Sequence, residues 1–373
     1  MTIQKKKWLL IQVAGLGYDF LRANHSLRLR NSEFSPLEPV FPAVTCVQQA
    51  SFRTAQQPVN HGVYANGFYD KKMCKTFFWE QSAHLVAGKR IWENIRANGA
   101  NVALLFWQQS LGENADIILS PAPIHKHHGG MVDVCYSMPP LLYDDICKSI
   151  GKEFKLRHYW GPLASGYSSE WIAEATAKLL NRKTTSPSLC LTYLPLLDYE
   201  LQKYGTTDSK SILALRKLFQ CLEYIVDAAE KNGYEFLIWG DYAINSCGNS
   251  VIFPNRILMK NGFFKYRDVN GRFYADFYRS KAFAMVDHQV AFVFFNDYSC
   301  VHEVNALFRG TQGISSVLAG DEIRSKGLPY PLCGELVLIA EKDTWFAYPW
   351  WEDKKNAPDF AFHVDIHNKP GYD

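Results

Sequence analysis

The chain has 373 residues, 47% of them hydrophobic, with 40 Lys and Arg against 37 Asp and Glu for a formal net charge of +3. That length holds one large domain or a domain with an added lobe, and so even a charge excludes the basic footprint of a nucleic-acid or anionic-membrane binder. Nine cysteines without Cys-x-x-Cys spacing exclude a disulfide framework and read as reduced core thiols.

From the N-terminus, Lys5-Lys6-Lys7 ahead of Trp8-Leu9-Leu10-Ile11 has the outline of a secretory signal. Gln12 breaks that apolar run, and Gly15-Leu16-Gly17-Tyr18-Asp19 follows as a turn, so residues 8–13 read as a first buried strand. The protein is accordingly expected to be unexported and cytoplasmic, and no apolar run is long enough to span a bilayer. Gly15-Leu16-Gly17 lacks the third glycine of a dinucleotide fingerprint, since residue 20 is Phe20.

Next, Phe41-Pro42-Ala43-Val44-Thr45-Cys46 sets a hydroxyl at the end of a Pro-bearing apolar segment that reads as a strand, and His61-Gly62-Val63 follows as a turn. The carboxyl ends of strands build the site in an open α/β sheet, which makes Thr45 a candidate reactive side chain. A plain strand-end or cap residue is the alternative. Residues 82–98 predict a helix and 101–107 a strand. Residues 112–140, with Gly129-Gly130 and Pro139-Pro140, read as a long loop whose His125, His127 and His128 are either solvent-exposed or metal-binding.

Further along, 169–180 and 209–232 predict helices, the second opened by Ser209 and stopped at Asn232-Gly233. Strands are expected at 188–194, 234–239, 282–286, 290–295 and 335–340. This alternation predicts an α/β fold, a doubly wound and mostly parallel sheet flanked by helices. Between 255 and 320 the pattern shifts to short strands around a helix. That stretch is expected to form a small inserted α/β lobe, leaving 1–254 and 321–373 as the core.

Asp198 and Asp241 each follow a buried strand, a position that favours a site over a turn. His288, in Asp287-His288-Gln289 between two apolar strands, is either a general acid/base or a replacement ligand, or else a structural His bonded to Asp287. There is no phosphate-binding Gly-x-x-x-x-Gly-Lys, no Gly-x-Ser-x-Gly and no His-Glu-x-x-His.

The Thr45 and His61-Gly62 segment, Tyr193-Leu194-Pro195-Leu196-Leu197-Asp198, Asp241 behind its strand, and Val364-Asp365-Ile366-His367 together resemble a known family over nearly the full length. It is the type I phosphodiesterase/nucleotide pyrophosphatase branch of the alkaline phosphatase superfamily. The resemblance implies an alkaline-phosphatase-like fold and phosphoryl hydrolysis with Thr45 as nucleophile. It implies Asp198 and His367 as ligands of a first metal and Asp241 as a ligand of a second.

Three positions depart from the family: Ala14, Gln202 and Tyr242 stand where it has Asp, His and His. Tight zinc sites use three or four deprotonated ligands. The implied cofactor is therefore at most one firmly bound divalent cation, zinc ahead of manganese or magnesium. Asn60 to Gly67, Leu197 to Gln202 and Val286 to Gln289 resemble a divergent subgroup of the family that carries the same changes. The expected function is metal-assisted hydrolysis of a small-molecule phosphate ester or diester, with His288 assisting proton transfer. No nucleic-acid or membrane partner is expected, and the oligomeric state stays open. The alternatives are an inactive relative that binds a ligand or partner in the old cleft, and a transferase using the same Thr.

Overall fold

The computed structural model describes residues 6–248 and 250–362. Strand β1 (Lys7–Val13) is apolar along most of its length because both faces of the sheet around it are covered. It is joined by β2 (Val102–Leu105), β3 (Ile117–Pro121), β4 (Cys135–Met138), β5 (Leu189–Leu194) and β6 (Tyr234–Gly240). The spatial order is β4-β3-β2-β5-β1-β6, parallel throughout except for β4. This is the α/β, mostly parallel architecture that the alternation predicts.

Helices α1 (Thr45–Thr54), α2 (Gly166–Leu180), α3 (Leu196–Tyr204) and α4 (Ser209–Lys231) cover the sheet. In α4, Leu215, Leu218, Leu222 and Ile225 recur at helical spacing and are buried in one cluster with Leu9, Ile11, Val13 and Trp171. Burial of each such side chain contributes about 1.5–3 kcal/mol. The α4 cap is Asp208, one residue before Ser209, and accepts from the Lys210 N–H at 2.8 Å. On the opposite face, Phe52 of α1 stacks on Trp239 with ring centres 4.2 Å apart.

Two expected elements differ. Residues 82–98 form a 3₁₀ turn (Ala83–Leu85) and a short helix (Glu93–Ala97) rather than one helix. The Arg90 guanidinium donates to the carbonyls of Ala83, Val86 and Gly88, so the chain between the two pieces is held by a side chain. Residues 112–140 are not a single loop, because β3 and β4 lie within them. Their tip is an exposed hairpin, Ile124–His125 against Met131–Val132, on which the rings of His127 and His128 lie 4.3 Å apart.

A second sheet is antiparallel: β7 (Ala282–Asp287), β8 (Val290–Phe295), β9 (Ile314–Ala319) and β10 (Leu336–Ala340), in the order β7-β8-β10-β9. Its strands come from both sides of residue 320. The core around it is rich in aromatics, with Phe264, Phe283, Phe292, Phe295 and Trp350 buried together, which accounts for much of the aromatic content by packing. Among the described residues no helix is long and apolar enough to cross a membrane.

Candidate active site

β5, β1 and β6 are neighbours, so the residues behind their carboxyl ends are neighbours too. Asp198 lies in the first turn of α3, four residues past β5, while Asp241 follows β6 directly. Behind β1, the Gly15 N–H donates to Asp241 Oδ1 at 3.1 Å and stitches two strand ends together. The join requires close backbone approach at Gly240, where a Cβ would lie 2.2 Å from the Leu16 carbonyl oxygen.

Thr45 reaches this place differently from the sequence-based expectation. No strand precedes it: Val44 is an extended N-cap (φ −131°, ψ 153°) and Thr45 is the first residue of α1. Nor is the side chain exposed, since Thr45 is only 2% accessible. Its Oγ1 lies 3.5 Å from the Tyr193 hydroxyl, which rises from the end of β5. The next N–H along, that of Cys46, donates to Asn66 Oδ1 at 3.1 Å. The hydroxyl thus stands at the positive end of a ten-residue helix, where first-turn N–H groups favour an anionic guest.

The two carboxylates have unequal surroundings. Half-buried Asp198 accepts through Oδ1 from the Tyr242 hydroxyl at 2.7 Å and from Gln202 Nε2 at 2.8 Å. Burial raises its pKa above the ordinary value, opposed by those two hydrogen bonds and by the nearby charge of His288. Asp241 is 1% accessible. Burial pushes it well above the usual carboxylate range, with Asp198 adding to the rise and the Gly15 N–H opposing it. Asp241 Oδ2 is buried with no hydrogen-bond partner, so it needs a proton or a cation.

Such an orphaned oxygen fits the metal that the resemblance implies, but its surroundings are thin. Ala14, buried directly behind β1, presents only a methyl group, and Tyr242 directs an O–H at Asp198. Among the described residues no group of three or more His, Cys, Asp or Glu is placed to hold a metal ion. That statement covers His125, His127 and His128. His367 lies outside the described residues.

His288 occupies the turn between β7 and β8, with its backbone in the left-handed region at φ +60°. Its Nδ1 meets Asp287 Oδ1 at 2.8 Å, and Asp287 also accepts from Asn66. The structure therefore brings Thr45, Asp198, Asp241 and His288 into one region. It adds Tyr193 and Asn66, which sequence reasoning missed as site residues.

His61, by contrast, is structural. It is buried, its Nδ1 accepts from the Val63 N–H at 3.2 Å, and Nε2 accordingly donates to Ser51 Oγ at 2.9 Å. Burial, then the charges of Arg53 and Arg90, push its pKa down from 6.5 to about 4. Between these values the unfolded chain binds the proton that the folded one refuses. Stability contributed by the neutral ring is therefore full above the unfolded pKa and is lost as pH falls toward the folded one, by about 3 kcal/mol. His61→Gln should flatten that acid limb in urea unfolding curves taken on either side of the window. Parallel pH slopes in the two proteins would contradict this assignment.

Comparison with known proteins fits the geometry. Phosphonoacetate hydrolase from Sinorhizobium meliloti, solved with phosphonoacetate, is similar with a TM-score of 0.67 at 16% identity, over 92% of this chain and 83% of that one. Murine ectonucleotide pyrophosphatase/phosphodiesterase 5 gives 0.61 at 15% identity, over 93% and 82%. An inactive form of the murine protein in complex with AMP gives 0.61 at 14%, again over 93% and 82%. At these identities the likeness speaks for the fold alone. No curated protein matches the sequence. The model of the type I phosphodiesterase/nucleotide pyrophosphatase family matches residues 9–373, and the chain belongs to that family.

Proposed function

We propose that the protein hydrolyses a small phosphate ester or diester through Thr45. The observation that carries this reading is the hydroxyl at the first turn of α1, near one buried and one half-buried carboxylate behind the two strands that flank β1. In the proposed reaction Thr45 Oγ1 gives its proton to His288 Nε2 and forms a bond to phosphorus while the bond to the leaving oxygen breaks, and His288 passes that proton to the leaving oxygen. Water then gives a proton to Nε2 and attacks the phosphothreonine; the bond from phosphorus to Oγ1 breaks, Oγ1 regains its proton from Nε2, and the product leaves as phosphate from a monoester or as a monoester from a diester. The first-turn N–H groups of α1 other than that of Cys46, which Asn66 engages, would face the developing negative charge on the phosphoryl oxygens. Membership in the family supports the class of reaction. The phosphonoacetate and AMP held by the similar structures support a small anionic ligand.

Asp198, Asp241 and, from the resemblance, His367 are the proposed ligands of at most one firmly bound divalent cation, zinc or else manganese or magnesium. A cation bound there would supply Lewis-acid polarisation of the phosphoryl group and help the threonine hydroxyl ionise. Ala14→Asp, Gln202→His and Tyr242→His together add a carboxylate and two imidazoles, and calorimetric titration with zinc should show tighter binding by at least about tenfold. No gain would mean that the cleft has been reshaped beyond its ligands. The nine cysteines, none bonded to another, support a reducing, cytoplasmic location.

A second reading has one observation in its favour. Tyr242 and Gln202 already saturate Asp198 Oδ1, which suits a cleft that binds a phosphate compound without turning it over. Turnover of p-nitrophenyl phosphate mono- and diesters, measured with each cation and again with a chelator, separates the two. Hydrolysis that rises with a cation and falls with chelator supports the first. Saturable binding of the ester without hydrolysis under any of these conditions supports the second.

A further inference from the structure

We propose that Asp287 is a positioning residue that fixes His288 as its Nδ1–H tautomer and, through Asn66, ties that imidazole to the first turn of the helix carrying Thr45. The consequence for catalysis rests on the reading of His288 as proton donor; the tautomer does not.

Asp287 ends β7 and is buried. Its two oxygens meet three nitrogens: Oδ2 accepts from the Asn66 backbone N–H at 2.7 Å, and Oδ1 from Asn66 Nδ2 at 3.2 Å and from His288 Nδ1 at 2.8 Å. A carboxylate only accepts, so the proton between Asp287 and His288 sits on Nδ1. The opposite tautomer would set one lone pair against another. Nε2 is thereby the ring atom at which a proton is taken up or given away.

This contact does not arise by default. Side chains of successive residues along a strand point to opposite faces, and the Asp287–His288 pair meets only because His288 turns the chain at φ +60°. That conformation is uncommon for a residue with a Cβ, and the charge-assisted hydrogen bond offsets its cost.

The amide of Asn66 carries the link onward. Its Oδ1 accepts from the Cys46 N–H at 3.1 Å while its Nδ2 donates to Asp287, so both neighbours dictate the same orientation. A continuous chain of hydrogen bonds therefore runs from the helix residue beside Thr45, through Asn66 and Asp287, to His288. It also ties the end of β7 in the antiparallel sheet to the first turn of α1, which packs on the parallel one.

Long-range imidazole ¹H–¹⁵N spectra of the intact protein at about pH 8, where an ordinary imidazole is neutral, test this directly, with His288→Gln assigning the signal. The Nδ1–H pattern is expected, and an Nε2–H pattern in the unaltered protein overturns the proposal. In Asp287→Asn the carboxamide cannot accept from all three N–H groups. The tautomer should change, the Cys46 amide resonance should move, and kcat should fall about a hundredfold with little change in KM. Combining it with His288→Gln should cost no more than the larger single loss. An unchanged tautomer in Asp287→Asn, or losses that add, overturns the positioning role. Should that variant fail to fold, the spectrum of the unaltered protein decides. An inactive wild-type protein that keeps the Nδ1–H tautomer counts against hydrolysis alone and supports the positioning role.

Discussion

Thr45→Ala should lower hydrolysis of the best phosphate ester by about a thousandfold or more, because in the proposed reaction Thr45 Oγ1 forms the covalent bond to phosphorus. The fold should survive. Among the described residues the Thr45 hydroxyl makes one long hydrogen bond, 3.5 Å to Tyr193, worth no more than about 1 kcal/mol, and alanine is the better helix former. Circular dichroism and the thermal midpoint should therefore stay close to those of the parent while kcat collapses. Thr45→Ser, which keeps a hydroxyl, should retain part of the rate, and a trapped phosphoryl group should map to residue 45 in the parent and be missing from the Ala variant. Turnover that persists undiminished in Thr45→Ala would end the phosphothreonine mechanism. A change confined to ligand affinity would leave a binding cleft.

The largest expected loss of stability lies behind the same helix. Arg53, in the last turn of α1, is fully buried, and its guanidinium donates to the carbonyls of Gln108 and Gln109 and to Glu113. Arg90 shares that carboxylate, with Nε 2.8 Å from Glu113 Oε2. Burial pushes the Arg53 pKa down to about 10, with Glu113 opposing the fall. Glu113→Ala would leave two guanidinium groups facing each other out of water, a cost of about 3–5 kcal/mol. Against a total stability of about 5–15 kcal/mol, that should bring the urea midpoint down steeply. Arg53→Met with Glu113→Leu removes buried charge along with its partner and should recover much of the loss. A Glu113→Ala cost below about 1 kcal/mol would show that water reaches the cluster and screens it.

The parallel core was legible in the chain because β1 and β5 are buried along most of their length and read as apolar runs interrupted only near their ends, by Gln12 and Thr192. α4 showed its amphipathic spacing and its stop at Asn232-Gly233 for the same kind of reason, one face buried and one wet. β3 escaped notice since Ile117-Ile118-Leu119 is short and runs into a stretch rich in Pro, Gly and His. α1 was hidden more deeply. Gln48, Gln49, Ser51, Arg53 and Thr54 are buried alongside Val47 and Ala50, so no apolar stripe exists to reveal a helix. The apolar approach through Phe41 and Val44 imitates a strand.

The candidate site divides in a similar way. Thr45, Asp198 and Asp241 could be proposed because each stands in a recognisable segment, the two aspartates behind apolar strands. Tyr193 could not, as its partner Thr45 is 148 residues away and nothing local distinguishes it from another strand aromatic. Asn66 lies within a segment that attracts attention for His61-Gly62, yet its contacts are with the Cys46 amide and with Asp287, 221 residues on. Such pairings are products of tertiary structure.

Among the described residues β6 is the outermost strand of the parallel sheet, and Leu237 at its middle is 45% accessible. β5, in contrast, is clasped between β2 and β1. Asp241 thus follows a strand laddered on a single side, while Asp198 sits in the first turn of α3, which follows a strand laddered on both sides. Thermal breathing falls mainly on the outer bank. If a phosphate compound binds at the proposed site, residues 234–241, laddered on one side only, are the part expected to yield to a wider occupant.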